Sequence, residues 1–150
     1  MSKSKRVKLP QNIKVAFYCR VACEDNDAIT LQKSLLQHYA ERQGYKNLSF
    51  YEDNGVSGIS YTRPALLRLE ADIQAGIVDT VIVRSIDRIG RNFIETEDWI
   101  TKIRRKGVSF ISVSEGITDT SFKDRNSLTH ELYKVFLYAS RKNRRVMRRS

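Results

Sequence analysis

The chain has 150 residues, 41% hydrophobic and 29% charged, with a net charge of +10. That is the size of one domain able to bury a core without staples, with the composition of an ordinary globular protein. No run approaches the ~18 apolar residues of a membrane span, and the N-terminus lacks the apolar core of a secretion signal, so membrane and secreted classes are set aside.

Residues 1–8 carry Lys3, Lys5, Arg6 and Lys8 without an acid, and residues 1–12 read as a basic extension. The run "IKVAFYC", residues 13–19, is apolar and β-favouring and reads as a first strand. Residues 29–45 place Ile29, Leu31, Leu35, Leu36, Tyr39 and Ala40 at helical spacing, with Gly44 as a stop. A second strand follows over "LSFYED", then the turn-rich "NGVSG". Pro64 suits the first turn of a helix running to Ala75, ended by Gly76. "DTVIVRSI" is a strand with the continuous apolar centre of a buried parallel sheet. Asn92 caps the next helix, with Phe93, Trp99, Ile100 and Ile103 inside, and "VSFISVS" is a further strand. From Asn126 onward one long helix is expected, amphipathic at first and almost purely basic at its end.

The order βαβαβαβα predicts a three-layer α/β/α domain with a mostly parallel central sheet and a long C-terminal helix. Residues 1–12 form the extension, 13–125 the core, and 126–150 the helix. In such sheets ligands bind beyond the carboxyl ends of the strands. Arg20 and Ala22 follow the first strand, Asp53 the second, "DRIGR" the third and Glu115 the fourth. The polar residues of interest therefore share one edge.

The charge is distributed unevenly. The four basic residues of the N-terminal run and the six of residues 141–150 equal the whole excess of ten. Residues 9–140 are neutral, with 17 charges of each sign. A neutral globule with basic ends suits a polyanion partner. For the N-terminal run, a merely solvated tail is the alternative. Cys19 and Cys23 sit too close in an extended segment for a disulfide, which favours a reducing cytoplasm. His38 and His130 lack the paired spacing of a zinc site, so no metal is expected.

"DRIGRN" places Asp87, Arg88 and Arg91 in one tight turn, where Gly90 is read as taking a conformation costly to other residues. Arg63 precedes the Pro64 helix. With Arg20 this gathers four arginines at one edge. Guanidinium is always charged and presents a planar fork of donors that matches phosphate oxygens. An enzyme that attacks a phosphodiester without metal needs such donors around the reacting phosphorus. The bland alternative is a set of salt bridges.

"YCRVA", "LQ", "EDNGVSG", "TRP", "DTVIVRSI" and "DRIGRN" come in the order and spacing of the serine recombinase catalytic domain, the resolvase/invertase family, which this chain resembles over residues 14–147. Its connecting segments look most like those of large serine recombinases of mobile elements such as conjugative transposons. The resemblance implies a serine that attacks a DNA phosphodiester, leaving a 5′-phosphoserine link and a free 3′-hydroxyl. Four subunits would cut two duplexes, exchange partners and reseal, with no cofactor. Arg20, Gln32, Asp53, Ser57, Arg63, Asp87, Arg88 and Arg91 fall on the family's site positions. The arginines would contact the scissile phosphate, and Asp53 and Asp87 would orient them or assist proton transfer.

Two positions depart from the family pattern. Where the family motif reads R-V-S, this chain reads Arg20-Val21-Ala22. Alanine cannot form the covalent link, so the chain as written is expected to be inactive. An introduced Ser→Ala change accounts for the intact surroundings. The alternative is a naturally non-catalytic assembly or regulatory DNA-binding protein. The last helix lacks the family's acids; Arg144 or Arg145 is the expected catalytic-helix arginine, and Arg144, Arg145, Arg148 and Arg149 are expected on the DNA backbone. In the family this helix builds a homodimer or synaptic homotetramer. No helix-turn-helix or longer DNA-reading region is recognisable. A flavodoxin-like or receiver domain predicts acids or a phosphate loop at the strand ends, where this sequence has arginines.

Overall fold

The computed structural model describes residues 8–55, 63–118 and 134. Strand β1, Lys14–Val21, is buried at every position after Lys14. Only a strand covered on both faces tolerates such a run. Helix α1, Asn26–Gln43, starts three residues before the apolar periodicity, because the Asp25 carboxylate accepts from the Ala28 amide at 3.0 Å. Gly44 ends it in the left-handed region at φ 80°, as its position predicts. Strand β2, Asn47–Asn54, helix α2, Pro64–Gln74, and strand β3, Thr80–Val83, follow. Helix α3, Phe93–Arg105, is capped by Asn92, whose side chain accepts from the Glu95 amide. Strand β4, Ser109–Ser112, is the last described strand.

The sheet has the order β2-β1-β3-β4 with every pair parallel. The side-chain alternation of β1 divides the core in two. Val15, Phe17, Cys19 and Val21 pack with Ile29, Leu36 and Ala40 of α1. Ala16 and Tyr18 pack with Leu69 and Ile73 of α2 and Ile100 and Ile103 of α3. The expected three layers are present. Each fully buried Leu or Ile contributes roughly 1.5–3 kcal/mol, and Leu69→Ala would cost about 2–5 kcal/mol through the cavity left behind. The expected long helix from Asn126 lies outside the described residues, as do Arg144, Arg145, Arg148 and Arg149.

The structure corrects two sequence expectations about the core. Leu31 and Leu35 were expected inside but are 54% and 45% exposed. The buried stripe of α1 is Ile29, Gln32, Leu36 and Ala40, with a polar residue in its second place. Leu31 and Leu35 sit beside that stripe. The third strand also stops three residues early. Ile86 belongs to a 3-10 turn, Ile86–Arg88.

That short strand positions the site. β3 pairs with β1 only as far as Tyr18↔Val83, while β1 stays paired with β2 to Val21↔Asn54. Residues 19–21 of β1 therefore run past the end of β3. The crossovers also reverse direction here, β2 lying on one side of β1 and β3 on the other. This is the switch point where a doubly wound sheet opens a crevice.

Candidate active site

Arg20 stands in the overrun of β1 and is 2% exposed. Its carbonyl and amide face the side that β3 has vacated, since the Val21 carbonyl turns to β2 and accepts from the Gly55 amide at 3.0 Å. Gln32 takes the place of the missing strand. Its amide nitrogen donates to the Arg20 carbonyl at 3.0 Å, and its Oε1 accepts from the Arg20 amide at 3.3 Å. A buried backbone pair needs such partners, and a carboxamide offers both a donor and an acceptor.

The Arg20 guanidinium reaches the 3-10 turn. Nε donates to the Arg88 carbonyl at 3.1 Å and Nη2 to the Asp87 carbonyl at 2.8 Å. Arg88 returns the contact, Nη1 donating to the Arg20 carbonyl at 3.1 Å. Arg63 Nη1 donates to the Ile89 carbonyl. Three successive carbonyls of the turn thus hold two arginines from other elements. Carbonyls fix a guanidinium without neutralising it. Burial, then the Arg63 and Arg88 charges, depress the Arg20 pKa from its ordinary value, while Tyr18 and Asp87 oppose them. A guanidinium presents donors and no acceptor, so these side chains bring positive charge and directed N–H groups to the turn.

Asp53, 3% exposed, works on the backbone of α2. Oδ1 accepts from the Ala65 amide at 2.9 Å; Oδ2 accepts from the Leu66 amide at 3.1 Å and the Tyr18 hydroxyl at 2.7 Å. The N-cap residue of α2 is Arg63, whose own side chain makes no capping bond. A carboxylate from β2 caps the helix instead and thereby sets where Arg63 begins it. Burial, then the bond to Asp53, pushes the Tyr18 phenol well above its ordinary pKa.

The remaining site positions lie around this centre. Ala22 is exposed in the loop after β1. That loop is tied to the end of β2: Asn54 Oδ1 accepts from the Asp25 amide, and Asn54 Nδ2 donates to Asn26 Oδ1, both at 2.9 Å. Asp87 is exposed and accepts from the Ser85 hydroxyl. Its carboxylate stands 3.9 Å from Arg88 Nε. Arg91 is exposed between the turn and α3. Ser57 lies outside the described residues. Gly90 does not need the left-handed region, contrary to expectation. It is buried where an added Cβ would meet Thr96 Oγ1 at 3.1 Å, so close approach of the turn to α3 is the reason for glycine.

The sequence reading missed Tyr18 and Asn54. Tyr18 was detectable, since it sits two residues before Arg20 on the same face of the strand. Asn54 carried no such signal.

Residues 15–149 match the family described as "Resolvase, N terminal domain". The chain belongs to the resolvase family of serine recombinases. It is 30% identical over 105 residues to the transposon Tn552 DNA-invertase BinR of Staphylococcus aureus, covering 62% of this chain and 54% of that protein. It is also 30% identical over 104 residues to the serine recombinase gin of Escherichia phage Mu, covering 69% and 48%. This resolvase-family chain therefore spans about half the length of those two relatives. Among solved structures, the N-terminal catalytic domain of TP901-1 integrase superposes with a TM-score of 0.70 at 32% identity, covering 87% of this chain and 98% of that one. A resolvase family site-specific recombinase from Streptococcus pneumoniae gives 0.68 at 30% identity, covering 90% and 92%. The recombinase fold of this chain places the four arginine positions as the sequence grouped them, on the carboxyl edge of the sheet.

Proposed function

We propose that this domain binds a DNA phosphodiester in the crevice between β1 and β3 and, with a serine at position 22, cuts and rejoins it in site-specific recombination. The observation that carries the reading is that Arg20 and Arg63 donate to carbonyls of the turn that bears Arg88, while Arg88 donates back to the Arg20 carbonyl, which gathers positive charge at one point of the sheet edge. Arg91 extends the cluster to the surface. Asp53 and Gln32 hold Arg63 and Arg20 in place, and Asp87 sits beside Arg88.

In that reaction a bond forms between the introduced serine's Oγ and phosphorus as the phosphorus–O3′ bond breaks. The 3′-oxygen takes a proton and leaves as a hydroxyl, and the 5′-phosphate stays on the serine. Rejoining reverses these steps, so no external energy source is consumed. With Ala22 the attacking oxygen is missing, and the domain binds without cutting. The basic segment that includes Arg144, Arg145, Arg148 and Arg149 supplies backbone contacts, and residues 126–150 pair copies of the chain into a dimer or synaptic tetramer. The reaction takes place in the cytoplasm, where Cys19 and Cys23 stay reduced.

The test is the Ala22→Ser protein incubated with duplex DNA from the source locus and resolved under denaturing conditions. The expected product is a protein–DNA adduct that survives detergent and is removed by protease. Binding without an adduct overturns the catalytic reading. It would favour a non-catalytic partner of an active recombinase, the role that Ala22 itself suits.

A further inference from the structure

Glu115 follows β4 and makes no direct bond to an arginine in the contacts above. It does hold the turn that holds them. Oε1 accepts from the Ile86 amide at 3.1 Å, the first amide of the 3-10 turn. Oε2 accepts from the Ser112 hydroxyl. The turn's own N-cap residue, Ser85, makes no side-chain capping bond, so the carboxylate from the neighbouring strand supplies the missing acceptor. Glu115 is itself fixed. The Val113 and Ser114 amides donate to the Val83 and Arg84 carbonyls, continuing the β3–β4 pairing past the strands. Gly116 closes the bend at φ 67°, and its amide donates to the Val113 carbonyl.

The chain of contacts is continuous. Glu115 fixes Ile86, and the next three carbonyls, of Asp87, Arg88 and Ile89, receive Arg20 and Arg63. A swing of the turn about Ser85 would move all three acceptors together. We propose that Glu115 is a positioning residue for the arginine cluster, acting through the 3-10 turn. It sets the height of the turn above the sheet and thus the place of Arg20 and Arg63. Its consequence for DNA rests on the phosphate reading above; the positioning itself does not.

The experiment uses the 150-residue chain and the nitrogen resonance of the Arg20 Nε–H, which donates to the Arg88 carbonyl. Glu115→Ala should speed exchange of that proton about tenfold, the scale of losing a hydrogen bond to a charged acceptor, while core amides of β1 keep their protection. Glu115→Gln keeps an acceptor for Ile86 and should restore slow exchange. Ser112→Ala, which loosens Oε2 alone, should shift exchange in the same direction by less. Unchanged Arg20 exchange in Glu115→Ala overturns the proposal. So does a uniform rise across all amides, the mark of a merely structural role. Titration with inorganic phosphate separates the two readings. If the parent chain's Arg20 resonance ignores phosphate, the DNA reading is weakened while the exchange comparison stands.

Discussion

Gln32 and Arg20 are joined by two hydrogen bonds that run in opposite directions, side-chain amide to carbonyl and backbone amide to side-chain oxygen. Both residues are almost fully buried. Gln32→Leu fills the same space but leaves the Arg20 amide without that acceptor. We expect a loss of about 2 kcal/mol, seen as a lower urea midpoint with an unchanged slope. A loss below a few tenths would mean that water replaces the carboxamide.

Thr96 has the opposite problem. Its hydroxyl is buried without a hydrogen-bond partner and lies against Gly90. Thr96→Val removes the unsatisfied oxygen at constant shape and should raise the melting temperature by a few degrees, equivalent to ~1 kcal/mol. Gly90→Ala should lower it, since the new methyl meets Thr96 at 3.1 Å. Combining Gly90→Ala with Thr96→Ala should recover part of that loss, which a thermal melt will read.

Alkaline pH should unfold the domain early. Burial raises the Cys19 thiol from 9.0 to about 12. Tyr18 is likewise raised above 10.0, by burial and then its bond to Asp53. Both groups hold their protons more tightly folded than unfolded. The stability this provides is complete below about pH 9 and is lost as pH rises toward about 12. Urea midpoints measured from about pH 8 to 11 should fall, and Tyr18→Phe should flatten the part of the curve above about pH 10.

The two thiols should also separate chemically. Cys19 is buried and raised, while Cys23 is exposed in the loop next to Ala22. One iodoacetamide adduct is expected on the native chain and two in denaturant, read by intact mass. Two adducts under native conditions would show that β1 opens readily.

Binding to duplex DNA should weaken steeply with salt, because ten excess positive charges sit in residues 1–8 and 141–150. Fluorescence anisotropy across a salt series measures the slope. A flat response would remove the polyanion partner from the account.

The layers and the parallel order were legible because each strand announces itself by an apolar run and each helix by a cap or a glycine. The grouping of Arg20, Asp53 and the Asp87–Arg91 turn at one edge followed from strand order alone, and Arg63 joined it from its place just before the Pro64 helix. The inner wiring was not legible. Asp53 sits after the apolar part of β2, as expected, but its bonds to the Ala65 and Leu66 amides cross between elements, and no local pattern encodes them. Gln32 occupies a core position that periodicity assigns to an apolar side chain, so Leu31 and Leu35 drew the inward assignment instead. The place of Gly90 in a tight turn suggests a conformational reason where the reason is steric, because spacing cannot distinguish a special φ from a close neighbour.

The early end of β3 has a consequence for how this fold can vary. Room for the crevice is set by the count of residues in one strand, and Arg20, the turn and Gln32 occupy the rungs that four-residue β3 leaves empty. Two more residues paired in register would extend the ladder past Tyr18 and seal the crevice with backbone, every arginine still present in the sequence. Across a family, strand length at this position would report competence where side-chain identity could not.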